Sequence, residues 1–155
     1  MIRAWRLARR AHSDPPKSIA FNGHGSELFG NRWNPVGTVA AYASPSRALA
    51  ALEYLVHLDR DLVPRDLVFS EVSFEEDAIE TAAPPSDWDI VGSASAVRYG
   101  ERWLREERSL VLTVPSVIIR DEWNFVINPR HSRARALVIS PTLQPFVYDE
   151  RLLRR

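Results

Sequence analysis

The sequence predicts an α+β fold: a single domain over residues 1–155, with packed mixed and antiparallel β-sheets flanked by two or three helices. At 155 residues, one domain is the expected organisation, with about two thirds of the unfolded surface buried on folding. Short apolar runs typical of strands outnumber amphipathic helical patterns, and the two do not alternate as βαβ units would require. No internal repeat, linker or low-complexity segment interrupts the chain.

Composition and charge exclude several classes of function. Twenty basic and twenty acidic residues leave no net charge, which argues against direct nucleic-acid binding, because such proteins usually carry a basic excess. The chain has no cysteine and its four histidines lack zinc-ligand spacing, so we expect no metal site. There is no signal peptide and no run of roughly 18 apolar residues, so we expect a cytoplasmic protein with no membrane partner.

The strand predictions depend on short apolar runs between turn signals. Residues 2–8 interleave arginines with Trp5 and Leu7, a period-two pattern typical of a half-buried strand. The continuous apolar run 110–114 stops at Pro115, so a core strand is expected to deliver Ser116 at its end, with 117–119 as an extension. Further strands are predicted over 38–43, 66–74, 125–127, 136–139 and 145–148. Loops are predicted over 12–17, 21–30 and 82–89, where proline or glycine recurs.

Two amphipathic helices are predicted. Ser44 is expected to cap the first, with Pro45 at its first position and an end near His57. Its apolar stripe consists of Ala48, Leu49, Leu52, Leu55 and Val56. Glu53 lies just beside this stripe, so its carboxylate should be half-buried. The second helix covers 95–107 with Val97, Trp103 and Leu104 facing inward, and Gly100 weakens it by about 1 kcal/mol relative to alanine.

The familiar nucleotide-binding and hydrolase motifs are missing. No G-x-G-x-x-G follows a strand and no G-x-x-x-x-G-K-[ST] occurs, so neither a Rossmann fold nor a P-loop is supported. No G-x-S-x-G elbow is present, and the sequence identifies no base that could activate Ser116 as a nucleophile.

The polar candidates are ordinary when each is taken alone. Arg32 and Glu53 could be solvated surface residues, and Trp33 and Tyr42 could be packed in the core. Asn128 precedes a proline and is first of all a turn signal.

The combination of these side chains is more informative. A guanidinium group binds phosphate through two parallel hydrogen bonds. Aromatic faces favour a cationic ring over a neutral one by about 0.5–2 kcal/mol. A half-buried carboxylate can stabilise an oxocarbenium-like sugar cation or orient sugar hydroxyls. Oxidised nicotinamide adenine dinucleotide (NAD⁺) offers a diphosphate, a cationic heterocycle and a breakable sugar–nitrogen bond, so the pattern suggests NAD⁺ as a substrate to be cut.

Several motifs, in order along the chain, resemble the RES domain family, which is named for an arginine, a glutamate and a serine. They are GNRWNPVG at 30–37, YAS at 42–44, AALE at 50–53, HL at 57–58, WL at 103–104, VPS at 114–116, NFVINPRH at 124–131 and DERL at 149–152. The resemblance extends over nearly the whole chain. Two positions depart from it: Asn31 stands where the family often has a second glycine, and Ser132 stands where proline is common.

The resemblance implies an ADP-ribosyltransferase-like fold and the toxin half of a bacterial toxin–antitoxin pair. Such toxins degrade NAD⁺, by phosphorolysis to nicotinamide and ADP-ribose phosphate or by hydrolysis. NAD⁺ is then a substrate, inorganic phosphate is a candidate co-substrate, and no cofactor is expected. The implied partner is an Xre-type helix-turn-helix antitoxin that covers the active site and carries the DNA-binding role. A homodimer and a toxin–antitoxin hetero-oligomer both stay open.

The resemblance also implies roles for individual residues. Arg32 would hold the NAD⁺ phosphates or the attacking phosphate, and Tyr42 would stack near nicotinamide. Glu53 would stabilise the ribosyl cation or orient the nucleophile, and Ser116 would complete the pocket. The expected substrate-binding residues are Trp33, Asn34, Ser44 and Asn128.

Two alternative functions stay open from the sequence. The same pocket could transfer ADP-ribose from NAD⁺ to a protein, because only the acceptor differs. The chain could also be a non-catalytic module that binds NAD⁺ or an antitoxin through a degenerate pocket.

Overall fold

The structure, a computed structural model, describes residues 1–59 and 61–154. Its helices are α1 Pro16–Ile19, α2 His24–Phe29, α3 Arg47–Leu55 and α4 Ala94–Glu106. Its strands are β1 Ile2–Arg9, β2 Ala41–Ala43, β3 Leu67–Phe74, β4 Ile79–Thr81, β5 Val111–Pro115, β6 Trp123–Ile127, β7 Val138–Ile139 and β8 Gln144–Phe146. Within these described ranges, no helix has the length and apolar character needed to cross a membrane.

The strands form two sheets, one antiparallel and one mixed. In the first, β3 pairs with β1 along its whole length and also with β7 and β8. The second has the order β2–β6–β5–β4, with a parallel pairing only between β4 and β5. The sheets are linked where Trp5 and Ser44 exchange backbone N–H···O bonds of 2.9 and 2.8 Å. The predicted α+β class, with mixed and antiparallel sheets, is confirmed.

Apolar side chains from both sheets pack in a shared core. Ala4 of β1, Val111 of β5 and Ile127 of β6 are fully buried there. Phe74 and Phe125 meet edge to face with ring centroids 5.3 Å apart. Burial of these side chains supplies the main driving force for docking one sheet on the other.

Helix α3 packs against β1 through a second apolar cluster. Ala50 contributes to it with Leu7 of β1 and Phe69 of β3. Tyr148, also in this cluster, donates a hydrogen bond from its hydroxyl to the Ala51 carbonyl oxygen. Burial raises the pKa of Tyr148 well above its usual value, so the hydroxyl stays a donor. These contacts fix the helix that carries Glu53.

The predicted cap of this helix is wrong. Helix α3 begins at Arg47, and the Ser46 side chain caps it by accepting a bond of 3.1 Å from the Leu49 amide. Ser44 cannot serve as the cap because its backbone is paired with Trp5 in the link between the sheets. The helix also ends two residues earlier than predicted, which leaves Val56 exposed.

Other corrections concern short elements. The loop predicted over 12–17 includes the first two residues of α1, and the loop predicted over 21–30 contains all of α2; both helices are too short to show a helical period. The strand predicted over 38–43 is limited to β2, and the three-residue β4 was not predicted. Residues 117–119 form a bend rather than an extension of β5, because the Ser116 amide bonds to the Glu122 carbonyl across a turn.

Gly100 lies where α4 crosses the chain at Trp33. A Cβ atom at this position would lie 1.9 Å from the Trp33 carbonyl oxygen. The sequence interpretation counted this glycine only as a cost to the helix. Because Gly100 has no side chain, α4 can approach the backbone at Trp33 closely.

Candidate active site

A cleft of about 850 Å³ opens between β1, β2, α3, the start of α4 and the end of β5. Its charged and titratable lining includes Arg6, Arg32, Glu53 and His57. Two guanidinium groups therefore share the cleft with one carboxylate, although the chain as a whole is neutral. Such a cleft favours a ligand that carries negative charge.

The Glu53 carboxylate is held at one oxygen and open at the other. Its Oε1 accepts hydrogen bonds from Ser116 Oγ at 2.8 Å and from Asn124 Nδ2 at 2.5 Å. Its Oε2 has no hydrogen-bond partner within residues 1–59 and 61–154. Glu53 is half-buried, as its position beside the apolar stripe predicts. The two donors fix the carboxylate and leave Oε2 available to a ligand.

Ser116 is a buried residue that orients Glu53. It follows β5 and is only 1% exposed. Its Oγ donates to Glu53 and accepts from the amides of Ile118 at 3.2 Å and Ile119 at 3.1 Å. A hydroxyl with these partners and this burial is poorly placed to attack a substrate, so its contact with Glu53 is its main link to the cleft.

Asn124 connects Glu53 to Ser44. Its Oδ1 accepts a hydrogen bond of 2.7 Å from Ser44 Oγ, while its Nδ2 donates to Glu53. The sequence placed Asn124 in a motif but gave it no role. Ser44, predicted to bind substrate, lines the cleft with its hydroxyl directed to Asn124.

Arg32 stands on a tight turn at the opposite wall. Asn31 and Asn34 close this turn through backbone N–H···O bonds of 2.9 and 3.3 Å. Arg32 Nη1 donates to the carbonyl oxygens of Trp88 at 2.7 Å and Ile90 at 3.2 Å. Its Nε and Nη2 form no hydrogen bond within the described chain and remain available for a ligand.

Trp33 anchors the same turn from below. It is buried, stacks on Trp88 with centroids 6.3 Å apart, and meets Tyr99 edge-on at 6.1 Å. Trp33 borders the cleft, but most of its ring surface is covered by these neighbours.

Asn34 and Tyr42 form a structural pair beneath the turn. Asn34 is 1% exposed, and its Nδ2 donates to the carbonyl oxygens of Ser26, Pro35 and Thr38 at 2.9–3.1 Å. Its Oδ1 accepts from the Tyr42 hydroxyl at 2.6 Å. Burial raises the pKa of Tyr42 far above its usual value, so the hydroxyl is a proton donor to Asn34.

Asn128 lies outside the cleft. Its Nδ2 donates to the Leu104 carbonyl at 3.0 Å, and its Oδ1 accepts from the Arg130 amide at 3.0 Å. The side chain is 2% exposed and links the end of β6 to α4. The structure therefore brings together the other predicted site residues without Asn128.

Arg6 is a cleft residue that the sequence interpretation missed. Its Nη1 donates to the His12 carbonyl at 3.0 Å, and it forms no ion pair with a carboxylate of the described residues. Burial lowers the pKa of Arg6, an effect that Tyr54 opposes. The signal was available: in β1, Arg6 shares its side of the strand with Ala4 and Ala8, so it is a charged residue at a position where the period predicts an apolar one.

No group of three or more His, Cys, Asp or Glu side chains that could hold a metal ion occurs among residues 1–59 and 61–154. The side chains of the cleft can bind an anion through Arg6 and Arg32, and Glu53 can stabilise or orient a substrate group.

A family model for the RES domain matches residues 3–149. The chain belongs to the RES domain family. The relatives that resemble it include the "Prs ADP-ribosylating toxin" of Sphingobium sp. (strain YBL2), which is 33% identical over 97% of this chain and 96% of the relative. The "Toxin Res" of Yersinia enterocolitica is 33% identical over 85% of this chain and 90% of its own length. The "Toxin Res" of Pseudomonas putida is 30% identical over 96% of this chain and 97% of its own length.

The RES fold also has a counterpart among solved structures. The crystal structure of the MbcT–MbcA toxin–antitoxin complex of M. tuberculosis contains a chain similar to this one, with a TM-score of 0.66. The match covers 94% of this chain and 84% of that chain, at 18% sequence identity. At this identity the similarity shows a common fold.

Proposed function

We propose that this RES protein is the toxin of a toxin–antitoxin pair and that it cleaves the bond between nicotinamide and ribose in NAD⁺. The observation that carries the proposal is the state of Glu53, with Oε1 held by Ser116 and Asn124 and Oε2 open to the cleft. A preorganised carboxylate of this kind can stabilise positive charge that develops on a sugar ring.

The two arginines of the cleft supply the recognition of phosphate. Neither Arg6 nor Arg32 forms a salt bridge with a described carboxylate, although Arg32 is near enough to Asp89 to interact with its carboxylate electrostatically. Both arginines line the same cleft as Glu53. A half-buried cation without a close ion pair is costly, and an anionic ligand reduces that cost. The NAD⁺ diphosphate, or one NAD⁺ phosphate together with inorganic phosphate, matches this pair of guanidinium groups.

The proposed reaction needs no redox step. The bond between C1′ of ribose and the pyridinium nitrogen breaks, and its electron pair leaves with nicotinamide, which becomes neutral. The ribose gains oxocarbenium character, and the negative charge of Glu53 Oε2 stabilises it. An oxygen of phosphate or of water then forms the new bond to C1′ and releases its proton to solvent or to Glu53. The products are nicotinamide with ADP-ribose phosphate or ADP-ribose, and the cytoplasm, where NAD⁺ is abundant, is the proposed site of action.

Incubation of the purified protein with NAD⁺, with and without inorganic phosphate, tests this function. We expect free nicotinamide in at least one buffer. Faster release with phosphate, together with a phosphorylated ADP-ribose product, selects phosphorolysis, whereas equal rates and free ADP-ribose select hydrolysis. A folded sample that releases no nicotinamide in either buffer contradicts the proposal and favours a non-catalytic binding module.

Transfer of ADP-ribose to a protein is a second candidate, because the Sphingobium relative is named for ADP-ribosylation. The cleft chemistry is the same, and the acceptor is a side chain instead of phosphate or water. With NAD⁺ labelled in the adenylate part, transfer leaves label on a protein band. Cleavage alone leaves all label in small molecules, so one gel separates the two candidates.

We also propose that an Xre-type antitoxin covers the cleft. Support comes from apolar side chains at its rim, where Phe29 is 82% exposed and Val36 and Val56 are also exposed. Large exposed apolar side chains around a cleft are typical of a protein interface. Phe29→Asp should weaken inhibition by the antitoxin at least about tenfold, as truncation of a buried anchor does. Val147→Asp, at an exposed apolar residue outside the cleft lining, is the control and should leave inhibition intact.

A further inference from the structure

We propose that Asn124 is a positioning residue: a relay from the Ser44 hydroxyl fixes its amide so that Nδ2 holds Glu53 Oε1 and Oε2 is presented to the substrate. The inference rests on the proposed function for its catalytic consequence. The relay itself is a property of the free protein and can be tested without turnover.

Both ends of the Asn124 amide are specified by their partners. Ser44 Oγ donates to Oδ1 at 2.7 Å, and Glu53 Oε1 accepts from Nδ2 at 2.5 Å. With the amide rotated by half a turn, its oxygen would face the carboxylate, a repulsive contact between two acceptors. Because a carboxylate oxygen only accepts when it is ionised, Glu53 and Ser44 select the same orientation.

The relay is rigid because each member is tied to the sheets. Asn124 lies within β6, opposite Val114 of β5. Ser44 follows β2 directly, and its backbone N–H and C=O are both bonded to Trp5. Ser44 is also 4% exposed, so water has little access to its hydroxyl. Asn124 and the strand that Ser44 follows both belong to the second sheet, and Ser44 is also bonded to β1 of the first, so the donor has little freedom to move away from Glu53, which sits on a separate helix.

The charged and titratable groups that line the cleft together with Glu53 come from four elements. They are Arg6 of β1, Arg32 of the turn, Tyr42 of β2, and Tyr54 of α3 with His57 just after it. None of these is a carboxylate. An acidic residue at position 124 would therefore introduce a second carboxylate directly against Glu53, with strong mutual repulsion.

NMR of the Asn124 side-chain amide in ¹⁵N-labelled protein tests the relay in the free protein, with the signal assigned through Asn124→Asp. In the wild type, the hydrogen bond to Glu53 should slow the exchange of the Nδ2 protons with water. Ser44→Ala removes the far end of the relay, so the Nδ2 signals should shift and their exchange with water should become faster. Glu53→Gln removes the ionised acceptor and should change the same signals more.

Asn22→Asp is the matched control, since Asn22 is exposed and its side chain bonds, among the described residues, only to the His24 amide. Its introduced charge lies outside the cleft lining, so the Asn124 Nδ2 signals should stay in place. Unchanged Nδ2 signals and exchange rates in folded Ser44→Ala would overturn the relay, because this variant leaves both partners of the Glu53 contact intact. If Ser44→Ala does not fold, Glu53→Gln decides in the same way.

The kinetic test separates a positioning role from simple loss of structure. In Asn124→Asp, kcat at neutral pH should fall roughly 10- to 100-fold with little change in KM, because misplacement of a catalytic group acts on the chemical step. Activity should recover partly at acid pH, where the introduced carboxyl group, once protonated, can donate to Glu53 as the amide does. A uniform loss at all pH values would contradict the relay. If wild-type protein releases no nicotinamide, the proposed function fails, and the NMR signals of the Asn124 amide still decide the relay.

Discussion

The two walls of the cleft use polar side chains in opposite ways. At the turn closed by Asn31 and Asn34, most polar groups bond to backbone: Asn34 holds three carbonyl oxygens, and Arg32 Nη1 holds two more. At Glu53, the side chains of Ser116 and Asn124 come from distant parts of the chain and bond to one carboxylate oxygen, while the other has no partner among the described residues. The first wall is mainly scaffold, and the second is a preorganised reactive group.

Substitutions in the two walls should therefore affect different properties of the protein. Trp33 and Asn34 of the turn are buried, so their loss should appear first in the free energy of unfolding. Residues around Glu53 support a group whose free oxygen contributes nothing to internal bonding, so their loss should appear first in turnover. Arg6 and Arg32, one on each side, should affect substrate binding.

The largest effect on the scaffold side is expected from Gly100→Ala. The new Cβ would lie 1.9 Å from the Trp33 carbonyl oxygen, so α4 or the turn must move, at a cost of about 3 kcal/mol or more. Thermal unfolding measures this loss. Gly25→Ala, in α2 with no heavy atom within 4 Å of the added Cβ, should change stability by less than about 1 kcal/mol. Equal melting temperatures for the two variants would show that Gly100 is not a close-packing position.

Asn34→Ala should have the next largest effect and lower the free energy of unfolding, measured with denaturant, by roughly 2–3 kcal/mol. The variant leaves three buried carbonyl oxygens and the Tyr42 hydroxyl without their hydrogen-bond partner. Asn22→Ala, which removes a single exposed bond to the His24 amide, should cost less than about 1 kcal/mol. A loss at Asn34 no greater than at Asn22 would refute the scaffold role of the turn.

Arg6→Met tests the part of the cleft that is proposed to bind the substrate phosphate. KM for NAD⁺ should rise about tenfold or more, since a charge-assisted bond to phosphate is lost. The melting temperature should not fall, because the variant removes a half-buried cation that has no ion-pair partner among the described carboxylates.

Arg3→Met is the control on the same strand. Arg3 forms a bidentate pair with Glu71 at 2.8 and 2.9 Å and does not line the cleft. NAD⁺ kinetics should therefore match those of the wild type. A higher KM for Arg3→Met than for Arg6→Met would reverse the assignment.

The smallest effect is expected on stability at acid pH and concerns Asp87, which precedes the Trp88 carbonyl that accepts a bond from Arg32. A hydrogen bond from the Ser95 hydroxyl lowers the pKa of Asp87, and hydrogen bonds from the backbone and from Ser93 add to this effect. Partial burial of the carboxyl opposes the shift. The folded pKa lies below the unfolded one, so this contribution is present above about pH 4 and is lost as pH falls through the folded value. Asp87→Asn should remove that part of the acid sensitivity in unfolding midpoints measured from neutral to acid pH. An unchanged pH dependence would show that Asp87 contributes nothing to it.

The fold was largely predictable where the signal is local and long. The β1 and β3 strands, α3 and α4 each show a clear period or apolar run, and the half-buried position of Glu53 follows from its place in α3. The cap of α3 was not predictable because Ser44 and Ser46 both precede the helix, and only the link to Trp5 decides between them.

The site was predictable only in part, for a physical reason. Ser116 and Asn124 lie 63 and 71 positions from Glu53, and no sequence period encodes a contact across that separation. Asn34 and Asn128 carry the same side chain in similar motifs, yet one lies under the cleft and the other is bound between β6 and α4. Arg6 could have been found, because its position on the apolar side of β1 is visible in the sequence.

The role of Glu53 is tested by the rate of nicotinamide release from NAD⁺ in Glu53→Gln, measured beside NAD⁺ binding by calorimetry. The amide has the size of the carboxylate but no charge to stabilise the ribosyl cation, so binding should persist while the release rate falls at least about 100-fold. Glu76→Gln, at an exposed residue away from the cleft lining, should keep the wild-type rate. A folded Glu53→Gln protein that releases nicotinamide as fast as the wild type would contradict the account.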